Sequence, residues 1–299
     1  MKYSVTFLGA FVVLSALLAL GQSAGLRFPE KVEAGTAFSV PTTGSGQATL
    51  YIVGPGDAIR RNIQLGENLA FASGDLHHAG LYVAFLVSGS STQNLQFEVS
   101  PSDRPATLSF LARPSRLPVN LSNGLSGVVY VFDVFRNLVL QPRQVSFELS
   151  DATGRTQSRT ATTRDGVAWV KMNSAAKAGP AQFQAFAANV REKRVIQQVP
   201  GDPCSVKMSA REPASGSPQR IALQTEPVHD CNGNPVPDGT IVTFTETYPG
   251  GQSTVDVPLK RGIARTEMPA RNGATISVAS GVVMGNEIRW GGASRGGGL

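Results

Sequence analysis

Histidine and cysteine are scarce in this chain, 3 and 2 of its 299 residues. Three histidines are a thin supply for metal binding or acid–base chemistry. His77 and His78 are neighbours, and on a strand adjacent side chains face opposite sides, so the pair is not expected to clasp one ion. His229 is expected on a loop surface. After residue 24 no stretch matches the ~20 apolar residues that span a bilayer, and none keeps a long amphipathic helical period. Both a membrane-embedded helical body and a helix bundle are set aside on that ground.

Catalytic arrangements are missing as well. The string GASRG, Gly292 to Gly296, has the letters of a nucleophile elbow, but it sits in a glycine-rich tail with no histidine after it. Asp230, Asn232 and Asn234 imitate the opening of a calcium loop. The imitation stops there, because Pro235 stands where the turn glycine is needed and Ile241 where the bidentate glutamate belongs. No cofactor, no metal and no enzymatic activity are expected.

What is present begins with a leader. Lys2 precedes an apolar run from Phe7 to Leu20, followed by small residues, which is the pattern of a secretory signal peptide over 1–24; the alternative is an uncleaved anchor. Cleavage after Gly21 or Ser23 places small residues at both recognised positions, and no cysteine lies near the junction to carry a lipid. Disulfides persist in the oxidising compartments to which such a leader directs a chain. Cys204 and Cys231 are therefore expected to pair, the alternative being two separate buried thiols. On the loop-entropy account a bridge closing such a loop stabilises by roughly 3.5 kcal/mol.

The chain repeats itself. Aligned without a gap, His229 to Thr245 matches Phe132 to Glu148: Asp230 falls on Asp133, Asn234 on Asn137, Val236 on Val139, Val242 on Val145 and Phe244 on Phe147. Three more landmarks keep the order: Pro105 with Pro203, DGVAW from Asp165 with RGIAR from Arg261, and GPAQFQA from Gly179 with GATISVA from Gly273. Slowly drifting spacing means two related units with small length changes in their loops. Within each unit, Val145, Phe147 and Leu149 alternate with Ser146, Glu148 and Ser150, the two-residue period of a half-buried strand. Asp165 and Gly166 tolerate the positive φ of a tight hairpin, and Asp230 and Asn234, like Asp133 and Asn137, are expected to shape their own turn.

These patterns predict an all-β chain of tandem immunoglobulin-like β-sandwiches, three domains in an elongated arrangement. The expected boundaries are 25–103 for a divergent sandwich, 104–200 and 201–290 for the two repeats, and 291–299 for a flexible glycine-rich tail. In the first segment the alternation of Leu81, Val83, Phe85 and Val87 with Tyr82, Ala84 and Leu86 supports a strand, and AGLYVAFL is similar to the late-strand tyrosine phrase of immunoglobulin-like domains. Joints rich in proline, PSDRP and PGDP, are expected to limit swing.

The D-x-x-x-N-x-V turn, the V-x-F strand, the G-x-A hairpin and the glycine-led strand together resemble the bacterial immunoglobulin-like repeats of the invasin and intimin type. The resemblance covers about Pro105 to Trp290. It implies an exported protein, in the periplasm or at the cell surface, that spaces or presents a binding tip. Neither a membrane-embedded barrel segment nor a lectin-like tip is legible beside the repeats.

Charge is unevenly placed. Residues 25–103 hold 4 basic and 7 acidic side chains, 104–200 hold 13 and 5, and 201–299 hold 9 and 9. The basic excess includes Arg113, Arg116, Arg136, Arg143, Arg155, Arg159, Arg164, Arg191, Lys193 and Arg194. It offers a surface for an anionic partner, an acidic protein or surface glycan, or else a solvated face that keeps the protein soluble. Nucleic acid is disfavoured because no recognised motif accompanies the charge. Opposite net charges in the first two segments also permit self-association. Trp169, beside the hairpin glycine, is expected in the core or at an interface.

Overall fold

The computed structural model describes residues 25–211, 213 and 219–291. The leader 1–24 and Gly292 to Leu299 lie outside the described residues, so the signal peptide, the flexible tail and the GASRG string do too. Every regular element among the described residues is a strand. No helix among them is long and apolar enough to cross a membrane.

Alternation builds three hydrophobic cores. The first gathers Val40, Leu50, Ile52, Phe71, Tyr82 and Phe97, the second Phe110, Val129, Phe147 and Phe183, and the third Ile221, Val242, Phe244 and Met268. Each core lies between a larger and a smaller sheet. In the second, the three-stranded sheet runs Val167–Met172, Leu125–Phe132, Thr107–Arg113; the five-stranded sheet runs Arg116–Pro118, Val190–Val199, Gly179–Ala187, Gln144–Ser150, Thr156–Thr162. The third repeats the plan with three strands, Met208–Arg211, Arg220–Thr225 and Arg265–Pro269, against four. Segment 25–100 has the same plan, three strands against five, although it lacks the D-x-x-x-N landmark. In both five-stranded sheets a short strand pairs parallel with the last long one, Lys31–Glu33 with Ser91–Ser100 and Arg116–Pro118 with Val190–Val199.

Two compact units result. One takes the described residues up to Ser102 together with Phe135–Asn137; the other takes Asp103–Val134 and Leu138 onward. The second unit thus contains two of the three cores.

Local signals act as their chemistry requires. Asp165 and Gly166 have φ of 48° and 79°, and Arg164 and Val167 exchange both backbone hydrogen bonds around them. This is the double positive φ that matches the twist of a two-residue hairpin. Arg261 and Gly262 repeat it at 52° and 74°. In the first core the Tyr82 hydroxyl lies 2.9 Å from the His78 carbonyl, four residues upstream, and 2.6 Å from Asp57 Oδ2. A tyrosine hydroxyl bonded back to the preceding corner is a device of immunoglobulin-like sandwiches. Tyr82, Ala84 and Leu86 are the inward set of their strand, so Leu81 and Phe85 stand on its outer face.

Candidate functional site

The landmark turn does more than shape itself. Asp230 is buried, and its Oδ1 accepts the backbone N–H groups of Asn232 and Asn234, the expected local turn. Its Oδ2 accepts from the Gly201 N–H in the joint and from Asn234 Nδ2. Burial pushes this carboxyl up, but the hydrogen bonds from Asn234, Gly201 and Asn232 outweigh it and hold the pKa below the ordinary value of 3.8.

Asn234 is buried and also bonds the neighbouring sandwich. Its Oδ1 accepts the Ala178 N–H at 2.9 Å and its Nδ2 donates to the Ala176 carbonyl at 2.9 Å, both in the loop before Gly179–Ala187. Lys177 Nζ donates in turn to the Asn232 carbonyl. The two sandwiches of the second unit are therefore joined by complementary backbone-like bonds through one side chain. The first unit contains the same arrangement: Asn137 Oδ1 accepts the Ala79 N–H at 2.8 Å and its Nδ2 donates to the His77 carbonyl at 2.8 Å. Phe135 packs against that core, and Gly35, at φ +72°, leaves room for its ring where any side chain would collide. Besides shaping its turn through Asp230, the asparagine reaches beyond it, because an amide can pair with a backbone N–H and C=O at once, a reach invisible to a local reading.

Cys204 and Cys231 form a disulfide. It ties the joint segment to the landmark turn, where the Cys204 N–H also bonds the His229 carbonyl. The corresponding bond in the earlier repeat is Ala106 N–H to Phe132 carbonyl, with no cysteines beside it.

The expected basic surface is spread over both sheets and the loops. Arg191 and Lys193 share the outer face of Val190–Val199 beside Gln184 and Gln182, whereas Arg113 lies on the other sheet. Arg116 is exposed at the start of a short strand whose Leu117 is buried, and Arg159 projects from Thr156–Thr162. Arg155 and Arg164 are in exposed turns. Arg136 takes φ 68° in the landmark turn, where the later repeat has Gly233 at 74°. Arg143 pairs with Asp103 and Arg194 with Glu192.

The opposite-face argument for the histidines fails because they lie in a bend, not on a strand. Their ring centroids are 4.1 Å apart, and their ligand atoms come within 4.8 Å of one another and of Asp57. Hydrogen bonds hold one nitrogen of each ring: His77 Nδ1 is 2.9 Å from the Gly74 carbonyl, His78 Nδ1 is 3.0 Å from Asp57 Oδ2, and Asp57 also takes the Tyr82 hydroxyl. Burial raises the Asp57 carboxyl, but the Tyr82 and His78 hydrogen bonds outweigh it, so its pKa is lowered. Burial and the neighbouring Asp57 push the Tyr82 hydroxyl up, which keeps it a donor.

Trp169 is not in the core. It is 65% exposed on the outer face of the three-stranded sheet, in register with Val128 and, beyond it, Leu111. The next row is Lys171, Ser126 and Arg113. At the same places the later repeat carries Arg265, Gln224 and Ser209, then Glu267, Ala222 and Arg211. Arg265 Nε donates to Gln224 Oε1 at 3.1 Å, so that face is polar and self-bonded.

No family model matches the chain, and no curated protein does. Among solved structures, the Escherichia coli adhesin FdeC aligns over 91% of this chain and 97% of its own, with a TM-score of 0.59 at 14% identity. The chain has the tandem immunoglobulin-like fold of that adhesin. Invasin, a bacterial integrin-binding protein, covers 89% of this chain and 58% of its own, at 12% identity and TM-score 0.46. Fibronectin domains FN1–FN3 of chicken CNTN1 cover 89% and 96%, at 12% identity and TM-score 0.37.

Proposed function

We propose that the chain is an exported, non-catalytic protein with an adhesive or structural role at a bacterial surface or in the periplasm. The observation that carries this reading is the fold-level alignment with an E. coli adhesin along nearly the whole of both chains. The joint supports it, because repeated side-chain bonds and a disulfide suit a chain that must keep its sandwiches together outside the cell. Fold alone does not assign a function, so the reading needs a test of location and assembly.

A second reading is a soluble binding module or accessory subunit of an envelope complex, docking an acidic protein or glycan through the basic repeat. Arg191 and Lys193 side by side on one sheet face favour it. Fractionation of producing cells at low and high salt separates the two. A large species in the surface-sheared fraction supports the adhesive or structural role. A soluble periplasmic species that loses a partner as salt rises supports the binding module, since exposed charge pairs are screened within about 10 Å at 0.1 M salt. Retention in the cytoplasm contradicts both.

A further inference from the structure

Equivalent loops of related sandwiches show which side chains a corner needs and which one copy has added. Asn137 bonds the His77 carbonyl and the Ala79 N–H, and Asn234 bonds the Ala176 carbonyl and the Ala178 N–H. These bonds put the two loops in register, with Ala176 at the place of His77 and Lys177 at the place of His78. The loops contribute only backbone atoms to them, so alanine serves the corner as well as histidine does. The first sandwich nevertheless places two of the chain's three imidazoles there. Asp57, at the start of Asp57–Gln64, lies beside them.

Each ring is oriented by a hydrogen bond at Nδ1. A carbonyl oxygen only accepts, so the contact with Gly74 puts the proton of a neutral His77 on Nδ1 and a lone pair on Nε2. The contact with the Asp57 carboxylate does the same for His78. Metal-ligating histidines are held in this way, one nitrogen donating to a carbonyl or carboxylate while the other faces the ion. Asp57 takes His78 and Tyr82 both on Oδ2, and Oδ1 has no part in those two bonds. The three side chains bring one ligand atom each within 4.8 Å of the others. Two ligands of one Zn²⁺ stand at most about 4.2 Å apart, so a small turn of a ring completes the approach. The His78 side chain is 41% exposed and has solvent to turn into.

We propose that Asp57, His77 and His78 form a binding site for a divalent transition-metal ion of the Zn²⁺ class. Two imidazoles and one carboxylate suit Zn²⁺, whereas Ca²⁺ and Mg²⁺ take oxygen ligands. Three protein donors leave the fourth tetrahedral position to water. The ion ties the hairpin that closes at Gly54 and Asp57 to the loop before Gly80–Ser88, two parts of one sandwich. The inference goes beyond the adhesive or structural role and stands without it, because it concerns ion binding by the purified chain.

Calorimetric titration of the chain, prepared without a histidine tag, with Zn²⁺ tests it, and Ca²⁺ is the control ion. The expected result is saturable Zn²⁺ uptake with a raised unfolding midpoint, and neither effect with Ca²⁺. His77→Ala and His78→Lys install what the second sandwich carries at the same places, so both are expected to fold without the ion. Each should weaken Zn²⁺ binding by about a hundredfold or more. His229→Ala removes the other imidazole of the chain and should leave binding unchanged. In proton spectra of the parent, the ring signals of His77 and His78 should move on adding Zn²⁺ while those of His229 stay. Should a variant misfold, these ring signals decide. A parent chain that takes up no Zn²⁺, uptake undiminished in His77→Ala and His78→Lys, or ring signals that move at His229 alone overturns the inference.

Discussion

The two repeats of the second unit share a backbone plan and differ in what they place on it. Inward positions agree: Phe147 and Phe244 are both fully buried, and Val145 and Val242 flank them. Outward positions diverge, with Trp169, Val128 and Leu111 against Arg265, Gln224 and Ser209. The landmark turns diverge in the same selective way. Asn137 and Asn234 each make one accepting and one donating bond to a preceding loop, yet only the later turn has a disulfide. The difference teaches that core and joint bonds specify this fold, while the outer face and the staple are free to specialise.

The deepest shared position gives the largest expected effect. Phe147→Ala and Phe244→Ala should each cost about 3–5 kcal/mol of their own sandwich's stability, measured by denaturant unfolding. Unequal losses, one near zero, would show that the two cores are not equivalent.

The staple is next. Cys204→Ser with Cys231→Ser should cost about 2–4 kcal/mol, seen as earlier unfolding of the third sandwich with the second unchanged. Introducing Ala106→Cys with Val134→Cys places the pair at the equivalent positions of the earlier repeat, and should raise its unfolding midpoint if the joints are as alike as their backbone bonds indicate.

Asn137→Ala and Asn234→Ala should each cost about 1–2 kcal/mol in the unit that holds the bonds, because amide bonds shielded from water are lost and their partners are left unpaired. Hydrogen exchange is the direct readout: the Ala79 amide should quicken in the first variant and the Ala178 amide in the second. Acid sharpens the contrast between side chains within one turn. The Asp230 pKa is lowered in the folded state, so its contribution is complete above the ordinary 3.8 and drains as pH falls through the lower folded value. A melting-temperature profile between neutral and strongly acid pH should therefore flatten in Asp230→Asn.

The smallest effect is expected on the faces. Trp169→Arg and Arg265→Trp should each change stability by no more than about 0.5 kcal/mol, as exposed substitutions usually do.

Much of this was legible in one sequence because it depends on local spacing. Two-residue alternation announced the strands, Asp165 with Gly166 announced the hairpin, and the repeat announced a second copy of each. Cys204 and Cys231 were the only thiols available to each other. What escaped depends on distant partners or on parity. Asn234 bonds residues 56 and 58 positions away, and nothing in its own turn signals them. Trp169 lies in VAWVKM, apolar at four successive positions, so alternation could not say which side is inward; the buried set is Ala168, Val170 and Met172. His77 and His78 were judged by strand parity, which a bend removes. The ten basic residues were grouped by sequence, but sheet alternation divides them among separate faces.

The most direct measurement is thermal unfolding of a chain whose outer row is rewritten as its repeat carries it, with Trp169→Arg, Val128→Gln and Leu111→Ser together. The account predicts a folded chain that melts close to the parent, because the later repeat carries Arg265, Gln224 and Ser209 on the same register and exposed positions contribute little to stability. A rewritten chain that is unfolded, or whose second sandwich is destabilised as strongly as by Phe147→Ala, would contradict it.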